Sequence, residues 1–183
     1  VISIESSKMV QQEIARKIKW FVIDKLNLED NVVTKSIYGT LIETMANTHN
    51  HAYNDTNRSP KWWLIAYYSE IEKVVNFTFL DNGKGIPQTI KKNWKEKVKQ
   101  LFPGSYTDAK LIKSALNGEF RSRTGKKHRG TGLPKIQEYA NNNYLKNLTI
   151  ISQNGCILSK KERNLKNKFY GTLLSWDFVG NEH

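Results

Sequence analysis

Residues 74–87 read VVNFTFLDNGKGIP. Apolar and polar residues alternate through Val75, Phe77 and Phe79, the period of a half-buried strand. Asp81-Asn82-Gly83 then ends the run, as Asp-Asn-Gly sequences commonly end strands. A plain turn needs no more than that. Gly83 and Gly85, one residue apart, also let the backbone approach a flat ligand closely, and the Asp81 carboxylate before them accepts hydrogen bonds. The stretch alone leaves both readings open, so its surroundings decide.

Upstream, WWLIAYYS (62–69) reads as a buried aromatic strand, with SEIEK as the hairpin turn region before 74–80. Residues 6–27 carry helical periodicity, with Ile14, Ile18, Phe21, Val22 and Leu26 on one side, and 34–53 form a second helical pattern. Downstream, short helical patterns fall near 89–101 and 107–118, and a helix over 133–142. NLTIISQ (147–153) and YGTLLSWDF (170–178) read as strands with a basic loop between them. Helices and strands are grouped rather than strictly alternating. The expected class is therefore α/β (α+β), a two-layer sandwich of a mixed, largely antiparallel sheet with helices on one face.

A length of 183 residues, with 38% hydrophobic and 11% aromatic content, suits one globular domain over 1–183. No apolar run reaches membrane-spanning length, no signal peptide is visible and Cys156 is the only cysteine, so a reducing cytoplasm is the default compartment. The chain opens on Val1, so flanking domains stay in view. A net charge of +12, clustered in KKNWKEKVK (91–99), RSRTGKKHR (121–129) and KKERNLKNK (160–168), suits polyanions, nucleic acid among them. Four histidines without ligand-like grouping argue against a zinc site.

Two further segments carry chemistry. On the helix over 34–53, Ile37, Leu41 and Met45 share the packing face, while Glu43, Asn47 and His51 stack at spacing i, i+4, i+8 on another. An ordinary solvated stripe would look the same. Yet an amide oxygen suits an octahedral Mg²⁺ shell, and a carboxylate one turn earlier can orient a water. HRGTGLPKI (128–136) places Gly130 and Gly132 before a helix whose packing face is Leu133, Ile136 and Ala140. A glycine-rich helix N-terminus favours phosphate, and Lys126, Lys127 and Arg129 sit beside it. The Walker pattern G-x-x-x-x-G-K-[ST] is absent.

Taken in order, these motifs resemble the GHKL ATPase/kinase superfamily and its Bergerat ATP-binding fold, to which DNA gyrase B and the catalytic domains of histidine kinases belong. Glu43-x-x-x-Asn47 looks like the N-box, Asp81-Asn-Gly83-Lys-Gly85 the G1 box, Arg129-Gly130-Thr-Gly132-Leu133 the G2 box, and Gly171-Thr172 the final Gly-Thr element, within 35–178. The resemblance implies Mg²⁺-dependent ATP binding with ATP hydrolysis or protein phosphotransfer. It implies that Asp81 accepts from the adenine amino group, with Thr172 assisting through a water, and that Gly83 and Gly85 pass close to the base. Asn47 would ligate Mg²⁺, and Glu43 would orient the water or acceptor hydroxyl. Gly130 and Gly132 would offer N–H groups to phosphates, and an ATP lid would span about 84–129. Pro134 and Asn50 depart from the usual pattern. A non-catalytic ATP-gated switch that binds a protein partner or flanking domain is the alternative, and a basic nucleic-acid module the remote one. The leading helix has no histidine, so the chain alone is not expected to phosphorylate itself on histidine.

Overall fold

The computed structural model describes residues 3–29, 32–51, 61–120, 132–159 and 161–180. Five strands form one sheet: β1 (Ser3–Ser7), β2 (Trp62–Ser69), β3 (Val74–Asp81), β4 (Lys146–Leu158) and β5 (Lys161–Val179). Their spatial order is β1-β2-β3-β5-β4. Every pairing among the described strands is antiparallel, so the parallel component of the expected mixed sheet is not there. Six helices accompany them among the described residues: α1 (Gln12–Leu26), α2 (Val32–His51), α3 (Ile86–Asn93), α4 (Lys95–Leu101), α5 (Asp108–Leu116) and α6 (Gly132–Asn141).

Strand alternation builds the core. Leu64 and Ala66 of β2, Val75, Phe77 and Phe79 of β3, and Leu174, Trp176 and Phe178 of β5 all face inward and are buried. The register sets Phe79 opposite both Leu64 and Leu174, and Phe77 opposite Trp176, whose ring it stacks on at 5.3 Å. The helices lend Ile18, Val22, Ile37, Leu41, Met45, Ile112 and Ile136 to the same core. On the opposite face Ile65 and Tyr67 of β2 are exposed.

Three local readings differ from the sequence expectation. The helix expected from residue 6 starts at Gln12, because Ser3–Ser7 pairs with β2 as an edge strand. Its serines hide the period-two signal. The basic stretch expected as a loop after 153 is strand instead: β4 and β5 continue as one hairpin, with Leu158 opposite Lys161. Charged residues tolerate a strand where one face meets water, and Ser159 turns the chain at φ 56°. Of the segment expected as a lid, residues 84–120 are described. They pack as α3, α4 and α5 around Ile90, Val98, Leu111, Ala115 and Phe120. Residues 121–131 lie outside the described set.

β5 bends at Tyr170–Gly171, where its register with β4 jumps from Ser152↔Thr172 to Gln153↔Phe169. Gly171 has φ +97°, and a Cβ there would overlap the Asp81 carbonyl oxygen. Gly171→Ala is therefore expected to lose roughly 3 kcal/mol or more of stability, combining left-handed strain with a backbone clash. Urea unfolding of the variant checks this, and a loss below about 1 kcal/mol would contradict it.

Candidate functional site

Antiparallel register places one polar line across the end of the apolar core. Asp81 lies opposite Trp62 on β2 and Thr172 on β5, and Thr172 lies opposite Ser152 on β4. All four are on the helix-covered face and are buried; Asp81 is only 7% exposed. Water cannot solvate such a carboxylate, so the chain supplies donors. The Gly83 N–H donates to Asp81 Oδ1 at 2.7 Å, closing the Asp-Asn-Gly turn. The backbone N–H and the hydroxyl of Thr172 donate as well. A carboxylate has about four acceptor sites, so these three donors leave about one for a ligand.

Burial still dominates. It pushes the Asp81 carboxyl up from 3.8 to about 6, against the opposing pull of the Gly83 and Thr172 hydrogen bonds. At neutral pH the group is mainly ionised, close enough to its titration for its protonation to follow its surroundings.

The loop after Asp81 is held by two residues that sequence reasoning passed over. Ser152 Oγ accepts from the Ile86 N–H at 2.9 Å and donates to the Gly171 carbonyl at 2.9 Å. It also lies 3.2 Å from Thr172 Oγ1. Gln153 Nε2 donates to the Lys84 carbonyl. Gly85, at φ +84°, passes so close that a Cβ would sit 2.6 Å from Ser152 Oγ. A signal was present in NLTIISQ: after Leu148 and Ile150, the next position on the buried register is Ser152. Asn82 is engaged elsewhere, its Oδ1 accepting from the Lys61 N–H.

A second group forms where α6 meets α2. At Gly39 a Cβ would lie 2.8 Å from the Tyr139 hydroxyl, so the missing side chain lets the two helices approach. At Gly132 a Cβ would lie 2.7 Å from Glu43 Oε2 and 3.1 Å from Asn47 Oδ1. Gly132 meets Glu43 and Asn47 while Tyr139 meets Gly39, so α6 runs antiparallel to α2 and turns its N-terminus toward the two polar side chains. That end of a helix carries unpaired N–H groups and partial positive charge. Leu133 and Ile86 each pack against both apolar clusters, which ties the α6 start and the loop after Asp81 to one seam.

Of the residues expected at the site, Asp81, Gly83 and Thr172 come together, with Gly85 held beside them through Ser152; Glu43, Asn47 and Gly132 form the second group. Lys126, Lys127, Arg129 and Gly130 lie outside the described residues, as do the side chains of Asn50 and His51. Among the described residues no three His, Cys, Asp or Glu side chains gather as a metal cluster. Mg²⁺ does not require one, since it commonly takes one or two protein oxygens and completes its shell with phosphate and water. The Glu43–Asn47 oxygen pair beside a helix N-terminus fits that mode, and the remaining Asp81 acceptor site fits a single amino donor. No protein-family model matches the chain, and no curated protein matches it. Among the described residues no helix is long and apolar enough to cross a membrane.

Because the folded state binds the Asp81 proton more tightly than the unfolded chain, this group's stabilising contribution is present at low pH and is lost as pH rises from 3.8 through about 6. Above that window the buried charge costs about 3 kcal/mol. Asp81→Asn cannot ionise. Its stability relative to wild type should move by about 2–3 kcal/mol in its favour between about pH 4 and about pH 7. Urea unfolding across that range reads the difference directly, and a difference independent of pH would contradict the assignment.

Proposed function

We propose that this chain is a GHKL-type nucleotide-binding domain that binds ATP with Mg²⁺ and hydrolyses it or transfers its terminal phosphoryl group. The observation that carries the reading is the meeting of Glu43 and Asn47 with the α6 N-terminus at Gly132. Two residues expected to handle metal and water thereby meet Gly132, one glycine of the motif expected to handle phosphate. The buried Asp81, with its donors on one side and a spare acceptor site, is consistent with the same reading.

Each residue then has a physical role. Asp81 accepts the exocyclic amino group of the base, which favours adenine because guanine presents a carbonyl at the corresponding position. Thr172 orients the Asp81 carboxylate, and Ser152 sets the loop that carries Gly83 and Gly85. The N–H groups at the start of α6 receive phosphate oxygens. Asn47 offers its amide oxygen to Mg²⁺, whose charge would offset that of the phosphates. Glu43, one turn before it, accepts a proton from the attacking water or hydroxyl.

ATP with Mg²⁺ is expected to raise the melting temperature, by the equivalent of about 2.7 kcal/mol at a hundredfold excess over Kd. Binding should weaken as pH falls through about 6, where Asp81 becomes protonated. Glu43→Gln should keep the thermal shift but lower phosphate release by roughly 10²–10⁴-fold, the usual contribution of a positioned general base. Asp81→Asn should lose the shift, since an amide turns a donor toward a donor. Thermal shift and phosphate release, measured on both variants, check these roles. Binding without phosphate release or transfer would assign the ATP-gated switch, and no shift at millimolar ATP would remove the nucleotide reading.

A further inference from the structure

β3 ends at Asp81, level with Thr172 of β5 and Ser152 of β4, but β4 and β5 run on past that point as a hairpin of residues 153–158 and 161–169. At a strand rise of about 3.3 Å per residue the arm projects about 20 Å. α5 packs on it: a Cβ at Gly155 would touch Ala109 N, Asp108 Oδ2 accepts from the Asn154 N–H, and Lys113 pairs with Glu162. α3 leads from the Asp81 loop to α5, and Lys91 bonds Asp108 across that gap. The arm and α3 to α5 thus occupy one end of the molecule.

That end holds most of the charge. Residues 86–116 and 161–168 carry eleven Lys and Arg against three Asp and Glu, so these segments hold eight of the twelve net positive charges. The three acids are already ion-paired, Glu96 with Lys99, Asp108 with Lys91 and Glu162 with Lys113. Lys161, Arg163, Lys166 and Lys168 are exposed along the arm. Aromatic rings are set among the lysines. Lys168 lies 5.1 Å over the Tyr170 ring, Lys91 5.6 Å over Tyr106 and Lys97 5.6 Å over Trp94. Tyr170 is 73% exposed, far more than a ring kept for packing would be. A shallow, open depression lined by Lys92, Trp94, Lys95, Glu96 and Lys97 lies on the same end.

We propose that this end is an interface for single-stranded nucleic acid. Lysines spaced along a projecting arm track a phosphate backbone, and the exposed Tyr170 ring on the arm, with the partly exposed Tyr106 beside Lys91, gives unpaired bases a stacking face. A duplex keeps its bases stacked internally and has no use for the rings. The proposal uses none of the side chains grouped around Asp81 or around Glu43 and Asn47, although α3 to α5 fall in the segment expected as a lid.

The test is fluorescence anisotropy without nucleotide, on the full chain. The probes are a labelled single strand of about 20 nucleotides, a duplex of the same length, and vesicles of phosphatidylserine and phosphatidylcholine, from about 50 mM to about 200 mM salt. The single strand should bind at least about tenfold more tightly than the duplex, with affinity falling steeply with salt. Lys166→Glu with Lys168→Glu should weaken single-strand binding about tenfold or more and flatten the salt dependence. Arg16→Glu with Lys17→Glu on α1 changes net charge equally and should cost about twofold at most. Tyr170→Ala should cost about fivefold or more, whereas Trp20→Ala, another exposed ring beside a lysine, should not. Equal or tighter binding to duplex or vesicles would overturn the proposal. So would no binding at low salt, or equal losses at the arm and at α1. Unchanged melting temperatures show that the variants fold.

Discussion

A carboxylate has been drawn into the end of an apolar sheet, and much of the local architecture follows from accommodating it. Asp81 sits on the same inner face as Phe77 and Phe79, so alternation that buries two phenylalanines buries it too. An unpartnered charge there would cost several kcal/mol and would shift its pKa until it neutralised. The chain meets this with a turn that aims the Gly83 N–H back at Oδ1 and with a β5 residue, Thr172, that donates twice. Thr172 reaches that position only because Gly171 lets β5 approach the Asp81 carbonyl at an angle no side chain permits. Ser152 then ties the Gly171 carbonyl and the Ile86 N–H together from β4. Compensation is incomplete, as the rise to about 6 records: burial outweighs the three donors.

The helix layer obeys a different constraint. α2 packs Ile37, Leu41 and Met45 on the sheet, yet Thr34, Thr40, Thr44 and Thr48 are buried as well, so the helix is covered on more than one side. Thr44 and Thr48 satisfy their hydroxyls on carbonyls of the preceding turn, which lets polar residues lie inside without outside partners. On the side toward α6, small residues are needed at two separate contacts. Gly39 admits Tyr139, and Gly132 admits Glu43 and Asn47. Helix approach, and not loop placement, therefore sets the distance between the two polar side chains and the α6 N-terminus.

Long, regular features were legible in the sequence. β2, β3 and five of the helices follow directly from period, because each has one buried side and one wet side strong enough to leave a pattern. Signals failed where side chains were uninformative. Ser3–Ser7 pairs by its backbone and shows almost no alternation, and Lys161–Lys168 is strand only because β4 offers it a partner. Both are long-range facts that no local window contains. At the candidate site the carboxylate, the glycines and the Glu43–Asn47 spacing were visible as residue types. Ser152 and Gln153 were not, because their work is to hold backbone from a distant strand. That the sheet is largely antiparallel was legible from the grouping of helices and strands, but its strand order was beyond reach, since order depends on which edges close the core.

Charge placement follows a logic separate from burial. Away from the hairpin and α3 to α5 the described residues carry eleven Lys and Arg against eleven Asp and Glu, while the hairpin and α3 to α5 are strongly basic. Crowding lysines raises the free energy of the folded state by repulsion, more so at low ionic strength. The fold lessens this by pairing all three local acids and by laying three lysines over aromatic faces. Surface ion pairs of this kind contribute about 1 kcal/mol at most, so they cannot offset eight net charges. Their better use is to join elements: Lys113–Glu162 holds α5 against the arm, and Lys91–Asp108 ties α3 to α5. The residual positive field is then left standing at the same end as the Asp81 loop, where any anion approaching that loop encounters it first.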